Sequence, residues 1–186
     1  MQVINGNLQG ALEAYEEVLK TNIELAELDP KHTEWQRDLS VSHNKVGDMH
    51  KANGDGLKAL KAYEESLAIR KALAELDPKH TQWQRDLSVS HNKVGDMHKA
   101  NGDGLKALKA YEDGLAIAKT LAELNPEMVQ WQTDLVVIYY NLSTVQPEKS
   151  KTLLTDALAI LNRLHSENRL DHRTQQWIPF LEDAIK

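Results

Sequence analysis

Four histidines carry the first candidate chemistry. His43 and His50 stand seven residues apart, and His91 and His98 repeat the pair. That spacing is close to two turns of a helix, so each pair shares one face and could in principle ligate a metal. A helical zinc pair, however, usually stands four apart with a carboxylate nearby, as in H-E-x-x-H. The spacing therefore reads as packing histidines, and neither a metal nor another cofactor is expected. The turns Gly54-Asp55-Gly56 and Gly102-Asp103-Gly104 could be mistaken for phosphate cradles. No Lys-Ser or Lys-Thr follows them, as a P-loop requires, so they read as turn chemistry. Glu64, Glu65 and Asp113 lie among lysines on an amphipathic stretch and read as a solvated face. Trp35, Trp83, Trp131 and Trp177 recur at helix starts and read as packing between repeats rather than as ligand-stacking rings. No nucleophile stands beside a base. No catalytic residue is expected, and the chain does not read as an enzyme.

The elements that hold these residues come from one repeated stretch. Trp35–Glu64, WQRDLSVSHNKVGDMHKANGDGLKALKAYE, recurs unchanged as Trp83–Glu112. The full unit is 48 residues long, Thr33–His80 against Thr81–Met128, and only eight positions differ, among them Ser66/Gly114 and Arg70/Ala118. Asn5-Gly6 and LAELDPKH (Leu25–His32) keep the register upstream, and Trp131–Ile160 holds a worn copy. A single array is expected: a half repeat over 1–32, repeats over 33–80 and 81–128, a degenerate repeat over 129–172, and a C-terminal helix over 173–186. Self-similarity at this period is the mark of a solenoid, whose units bury their apolar faces only by stacking on one another.

Composition narrows the function classes. A formal net charge of −6 argues against nucleic acid, which needs a basic stripe. The chain has no cysteine, which excludes disulfides and thiolate metal sites. No apolar run approaches the ~20 residues of a membrane span, and no signal peptide opens the chain. A cytoplasmic location, no membrane partner and a slice of a longer protein are the expectations.

Each unit predicts two helices of roughly 20 residues. Thr33 and Gln36, repeated by Thr81 and Gln84, form the pattern of a capping box at the first helix. Trp35, Leu39, Val46 and Met49 mark its buried stripe. Asn53-Gly54-Asp55-Gly56 stops it, and Asp55 is placed to cap the second helix. The second helix predicts two apolar stripes, Leu57/Leu60/Leu67 and Ala59/Tyr63/Ser66/Leu73/Leu76, as expected of a helix covered on two sides. Asp77-Pro78 ends it. Gly47 and Gly95 lie inside the first helices, where Gly costs about 1 kcal/mol relative to Ala, so a close approach of backbones is expected there.

These positions resemble the tetratricopeptide repeat family. That family carries a small residue late in its first helix, Gly at the turn, then Ala and an aromatic four apart in the second helix. Here they read Gly47, Gly54, Ala59, Tyr63 and again Gly95, Gly102, Ala107, Tyr111, with Gly6, Ala11 and Tyr15 upstream. The run SLAIRKALAELDPKH is similar to the longer repeats of the kinesin light chain type. Two departures stand out: both helices are longer than the family's usual unit, and Ser143 and Gln146-Pro147 replace the inner Gly and the turn in the third copy. The resemblance implies an all-α solenoid of antiparallel helix pairs, a right-handed superhelix of about eight helices. It also implies that first helices line a concave groove, with Val41, Asn44, Asp48 and Lys51 on one unit and Val89, Asn92, Asp96 and Lys99 on the next.

An Asn amide both donates and accepts, so Asn44 and Asn92 at a fixed step could hold the backbone of an extended peptide. The expected function is a protein-interaction scaffold whose partner is a protein or an extended peptide. The alternative is a structural module that associates head to tail into a homo-oligomer. For that alternative the opening helix would present Leu12 and Tyr15, and the closing helix Trp177, Phe180 and Leu181.

Overall fold

The computed structural model describes residues 2–186, with side chains from residue 8 onward. The side chains of Asn5 and Gly6, the upstream end of the repeat pattern, lie outside the described residues. Regular structure among the described residues is helical throughout. The order is α1 (Gln2–Leu28), α2 (Thr33–Ala52), α3 (Gly56–Leu76), α4 (Thr81–Ala100) and α5 (Gly104–Leu124). There follow α6 (Val129–Ser143), a 3-10 turn at Pro147–Lys149, α7 (Ser150–Ser166), the single turn α8 (His172–Gln175) and α9 (Trp177–Ile185). From α1 to α7 each helix packs on those before and after it in the chain; α9 folds onto α7, and α4 also touches α6. The protein is an α-solenoid of antiparallel helix pairs.

Local chemistry explains the corners. Gly54 and Gly102 take φ of +82° and +81°, the left-handed region where a Cβ is strained. Their neighbours return main-chain bonds to the helix just ended, Asp55 N–H to His50 O at 2.8 Å and Asp103 N–H to His98 O at 2.9 Å. At the other corner Asp29, Asp77 and Asn125 each accept from the N–H two residues on, at 3.0, 3.0 and 3.1 Å. These side chains mimic a turn of backbone, and the following Pro closes off the helix.

The caps of the first helices differ from the expected capping box. His32 and His80, not Thr33 and Thr81, are the capping residues. Their Nδ1 atoms accept from Trp35 N–H and Trp83 N–H, both at 3.3 Å. Each imidazole also stacks on the tryptophan it caps, with ring centroids 4.1 Å apart. The turn before the helix leaves His as the last extended residue, which makes Thr the first helical one. Gln36, Gln84 and Gln132 are thereby released to reach back across the corner, to the carbonyls of Ala26, Ala74 and Ala122. Met128 takes the place of His before α6 and makes no side-chain cap. At the second helices Asp103 caps Lys106 N–H at 3.2 Å, whereas Asp55 makes no side-chain cap bond.

Two stripe residues are misplaced by the sequence pattern. Leu57 is 80% exposed and Leu76 is 68% exposed. Both occupy the ends of α3, beyond the length along which α2 and α4 cover it. The interior pairs α2 with α3 through Gly47 and Tyr63, and α4 with α5 through Gly95 and Tyr111. A Cβ on Gly47 would stand 2.7 Å from the Tyr63 ring, and one on Gly95 would stand 2.5 Å from the Tyr111 ring. The close approach is therefore of an aromatic ring to a helix backbone, rather than of one backbone to another. Ala59 and Ala107 are fully buried beside them.

Candidate functional site

The first helices α2, α4 and α6 form one layer, joined by side chains that repeat one unit apart. Arg37 Nε donates to Asp86 Oδ2 at 2.8 Å, and Arg85 Nε to Asp134 Oδ2 at 2.6 Å. Lys93 Nζ donates to Asp48 Oδ1 at 2.6 Å. Asn141, at the same place one repeat later, donates to Asp96 Oδ1 at 3.1 Å and to Asn92 Oδ1 at 2.9 Å. Lys51 Nζ lies 3.7 Å from Asp96 Oδ2, and Lys99 Nζ donates to Thr144 Oγ1 at 2.8 Å. Pairs this exposed contribute about 1 kcal/mol or less each. The ladder's main effect is to set the step from one repeat to the next.

Asp48 and Asp96 are tied inward as well. They accept from the hydroxyls of Tyr63 and Tyr111 at 2.7 and 2.9 Å. Burial first, then the neighbouring carboxylates, pushes both tyrosines well above the usual phenol range. Neither acid is a free groove charge.

Asn44 and Asn92 have identical neighbours in sequence and different places in the fold. Asn44 is only 6% exposed and is not available to a groove ligand. In the amide orientation that pairs donors with acceptors, its Oδ1 accepts from Ser66 Oγ and from both terminal nitrogens of Arg70, at 2.9 to 3.1 Å. Arg70 is itself buried and donates to Ser40 Oγ, Asp86 O and Ser90 Oγ. Burial pulls its guanidinium below the usual value, and the charge of Asp86 opposes that. In the next unit Gly114 and Ala118 replace Ser66 and Arg70, so Asn92 has no such partner and turns to Asn141 instead. Its amide N–H groups make no bond among the described residues. Val41 and Val89 are half-buried, and Lys51 and Lys99 are exposed.

The histidines also separate. His43 Nδ1 is 3.0 Å from Glu65 Oε2 but off the line a hydrogen bond needs, and His50 Nδ1 is 4.0 Å from Asp55 Oδ2. Burial lowers the affinity of His43 and His91 for a proton, with Glu65 and Asp113 acting in the opposite sense. Among the described residues, no three histidine or carboxylate groups converge as a metal site, and no helix is long and apolar enough to cross a membrane.

The end residues expected to drive self-association are partly withdrawn. Leu12 is 7% exposed and Leu181 is fully buried, the latter because α9 folds back on α7. Tyr15 and Trp177 are half-buried, and Phe180 is half-exposed. Several hollows lie on the described surface, and three of them bear on the candidate site. Two are repeat-related and apolar, one of about 660 Å³ over Pro30, Ile69 and Leu76, the other of about 600 Å³ over Pro78, Ile117 and Leu124. The third, about 380 Å³, is lined by Tyr140, Arg173, Gln176, Trp177 and Phe180. Sequence reasoning missed Tyr140, Arg173 and Gln176. Tyr140 stands one repeat after Asn92, and that substitution was the available signal.

The fold and the ladder define a helical repeat solenoid. No family model matches the chain, and no curated protein matches it. Among solved structures it is similar to BtubC (BKLC) from P. vanneervenii, at 18% identity and a TM-score of 0.48, over 95% of this chain and 84% of that one. It is also similar to the MamA protein, at 15% identity and a TM-score of 0.42, over 91% of each chain. A de novo designed helical repeat protein, DHR64, is similar at 11% identity and a TM-score of 0.35, over 96% of this chain and 97% of that one. Likeness at this level carries no functional inference.

Proposed function

We propose that the protein is an interaction scaffold of tetratricopeptide type, with long units like those of the kinesin light chain, and that it holds an extended segment of a partner protein across α4 and α6. The observation that supports this reading is the Asn92 amide. Its oxygen is fixed by Asn141, while its N–H groups are left to donate, with half-buried Val89 one turn before it and exposed Lys99 two turns after it on α4. A fixed amide donor next to an apolar strip suits a peptide carbonyl and a small apolar side chain. The burial of Asn44 shortens the surface to the second and third units. Head-to-tail association loses support from the burial of Leu12 and Leu181.

The test is selection of binders from a displayed random peptide library, followed by titration of variants. Asn92→Ala with Lys99→Ala is expected to weaken a selected peptide roughly tenfold or more, since each lost hydrogen bond contributes about 1 kcal/mol. Asn44→Ser is expected to leave affinity unchanged once folding is confirmed. A peptide indifferent to Asn92 and Lys99 would place the binding surface elsewhere.

A further inference from the structure

The hollow at the end of α6 has a composition unlike the two repeat-related ones. Tyr140, Trp177 and Phe180 meet edge to face, with centroids 5.5, 5.6 and 6.2 Å apart and ring planes crossing at 82°, 61° and 73°. No two rings are parallel, so there is no slot in which a fourth ring could be sandwiched between two others. A branched aliphatic side chain, which needs only C–H contact, suits the floor better. The space of about 380 Å³ holds one such side chain and part of its backbone.

Arg173 supplies the second half of the argument. Arg37, Arg85, Arg163 and Arg169 each pair with a carboxylate, and Arg70 is held by hydroxyls and a carbonyl. Arg173 alone makes no ion pair and no side-chain hydrogen bond among the described residues, and it is exposed at the rim. The acid nearest in sequence, Asp171, is engaged as the cap of α8, accepting from Thr174 N–H at 2.7 Å. An unpaired guanidinium over an apolar floor is complementary to a carboxylate next to an apolar side chain. A chain terminus is usually captured by a nest of main-chain N–H groups. Here Pro179 removes one N–H from the first turn of α9, and the cation is a side chain. A side-chain carboxylate is therefore the better match.

We propose that this hollow is an anchor site for a partner segment in which a branched aliphatic residue is followed by Asp or Glu. The proposal deepens the scaffold reading, because Tyr140 lies one repeat beyond Asn92 on the same layer and would extend the same track.

Blocked dipeptides test the pocket without the groove. N-acetyl-Leu-Asp-amide, N-acetyl-Leu-Asn-amide and N-acetyl-Asn-Leu with a free C-terminus would be titrated into the 15N-labelled chain, following the Trp177 indole N–H by NMR. The Asp peptide is expected to move that signal at millimolar concentration, and to bind roughly tenfold more tightly than its Asn isostere. Arg173→Gln should bring the two peptides to the same affinity, and Phe180→Ala should weaken both. Both positions are exposed, and the unchanged Trp83 indole signal would confirm folding. Equal binding of Asp and Asn peptides, binding only by the free C-terminus, or no shift at Trp177 would each overturn the proposal. If the pocket fails while library peptides still depend on Asn92 and Lys99, the scaffold reading stands and only the anchor falls.

Discussion

At the scale of single residues the strongest constraint is on protons. His43 is buried against Glu65, and His91 is half-buried near Asp113 with Lys71 and Lys109 adding repulsion. Burial is the larger influence on both, and it disfavours the imidazolium. Their folded values thus fall below the ordinary 6.5, and the unfolded chain binds more protons than the folded one as pH drops. The stabilisation is complete above the unfolded value and is lost as pH falls through it toward the folded values. We expect the urea midpoint to be flat from about pH 8 to 7 and to decline below about 6.5. The double change His43→Gln and His91→Gln should flatten that decline. A midpoint that rose on acidification would show that the carboxylates, not burial, dominate.

At the scale of elements, the Gly–Tyr contact decides how closely a pair of helices can close. Tyr111 reaches from α5 across the backbone of α4 at Gly95 and ends on Asp96, so the ring has a fixed height and cannot retreat. Gly95→Ala adds one methyl into that ring and is expected to cost about 1–3 kcal/mol by overpacking. Gly104 offers a control in the same unit, since a Cβ there meets nothing within 4 Å. Gly104→Ala should instead raise stability by up to about 1 kcal/mol by restricting the unfolded chain. Chemical denaturation of the two variants checks the pair. A Gly95→Ala protein as stable as the parent would mean that the ring yields.

At the scale of the whole molecule, stability runs along a line. α4 packs on α3, α5 and α6, whereas among the described residues α1 packs chiefly on α2. In such an array local opening follows the number of neighbours, and helices at the ends open first. Hydrogen exchange should therefore be slowest in α4 to α6 and fastest in α1. Within the near-identical pair, α4 should be better protected than α2, because Trp83, Leu87 and Met97 are buried where Trp35, Leu39 and Met49 are only half-buried. Equal protection of α2 and α4 would contradict a linear array.

Periodicity and turn glycines are local, and they were legible without a structure. The 48-residue period implied stacked helix pairs, Gly54 and Gly102 marked the ends of first helices, and Pro78 marked the end of a second helix. His32 and His80 as caps were not legible, because which residue stays extended depends on the preceding turn. Nor did sequence identity reveal that Asn44 is buried and Asn92 is not. Their helices differ only at Glu34 and Gln82, and the difference comes from Arg70 and Ala118 on the facing helices, contacts that exist only after stacking. The hollow of Tyr140, Arg173, Trp177 and Phe180 likewise joins α6 to the α8–α9 segment, a meeting that the folding of α9 onto α7 creates. What repeats along the chain could be read from the chain. What depends on which copy faces which was decided by tertiary packing, because identical helices acquire different roles from different neighbours.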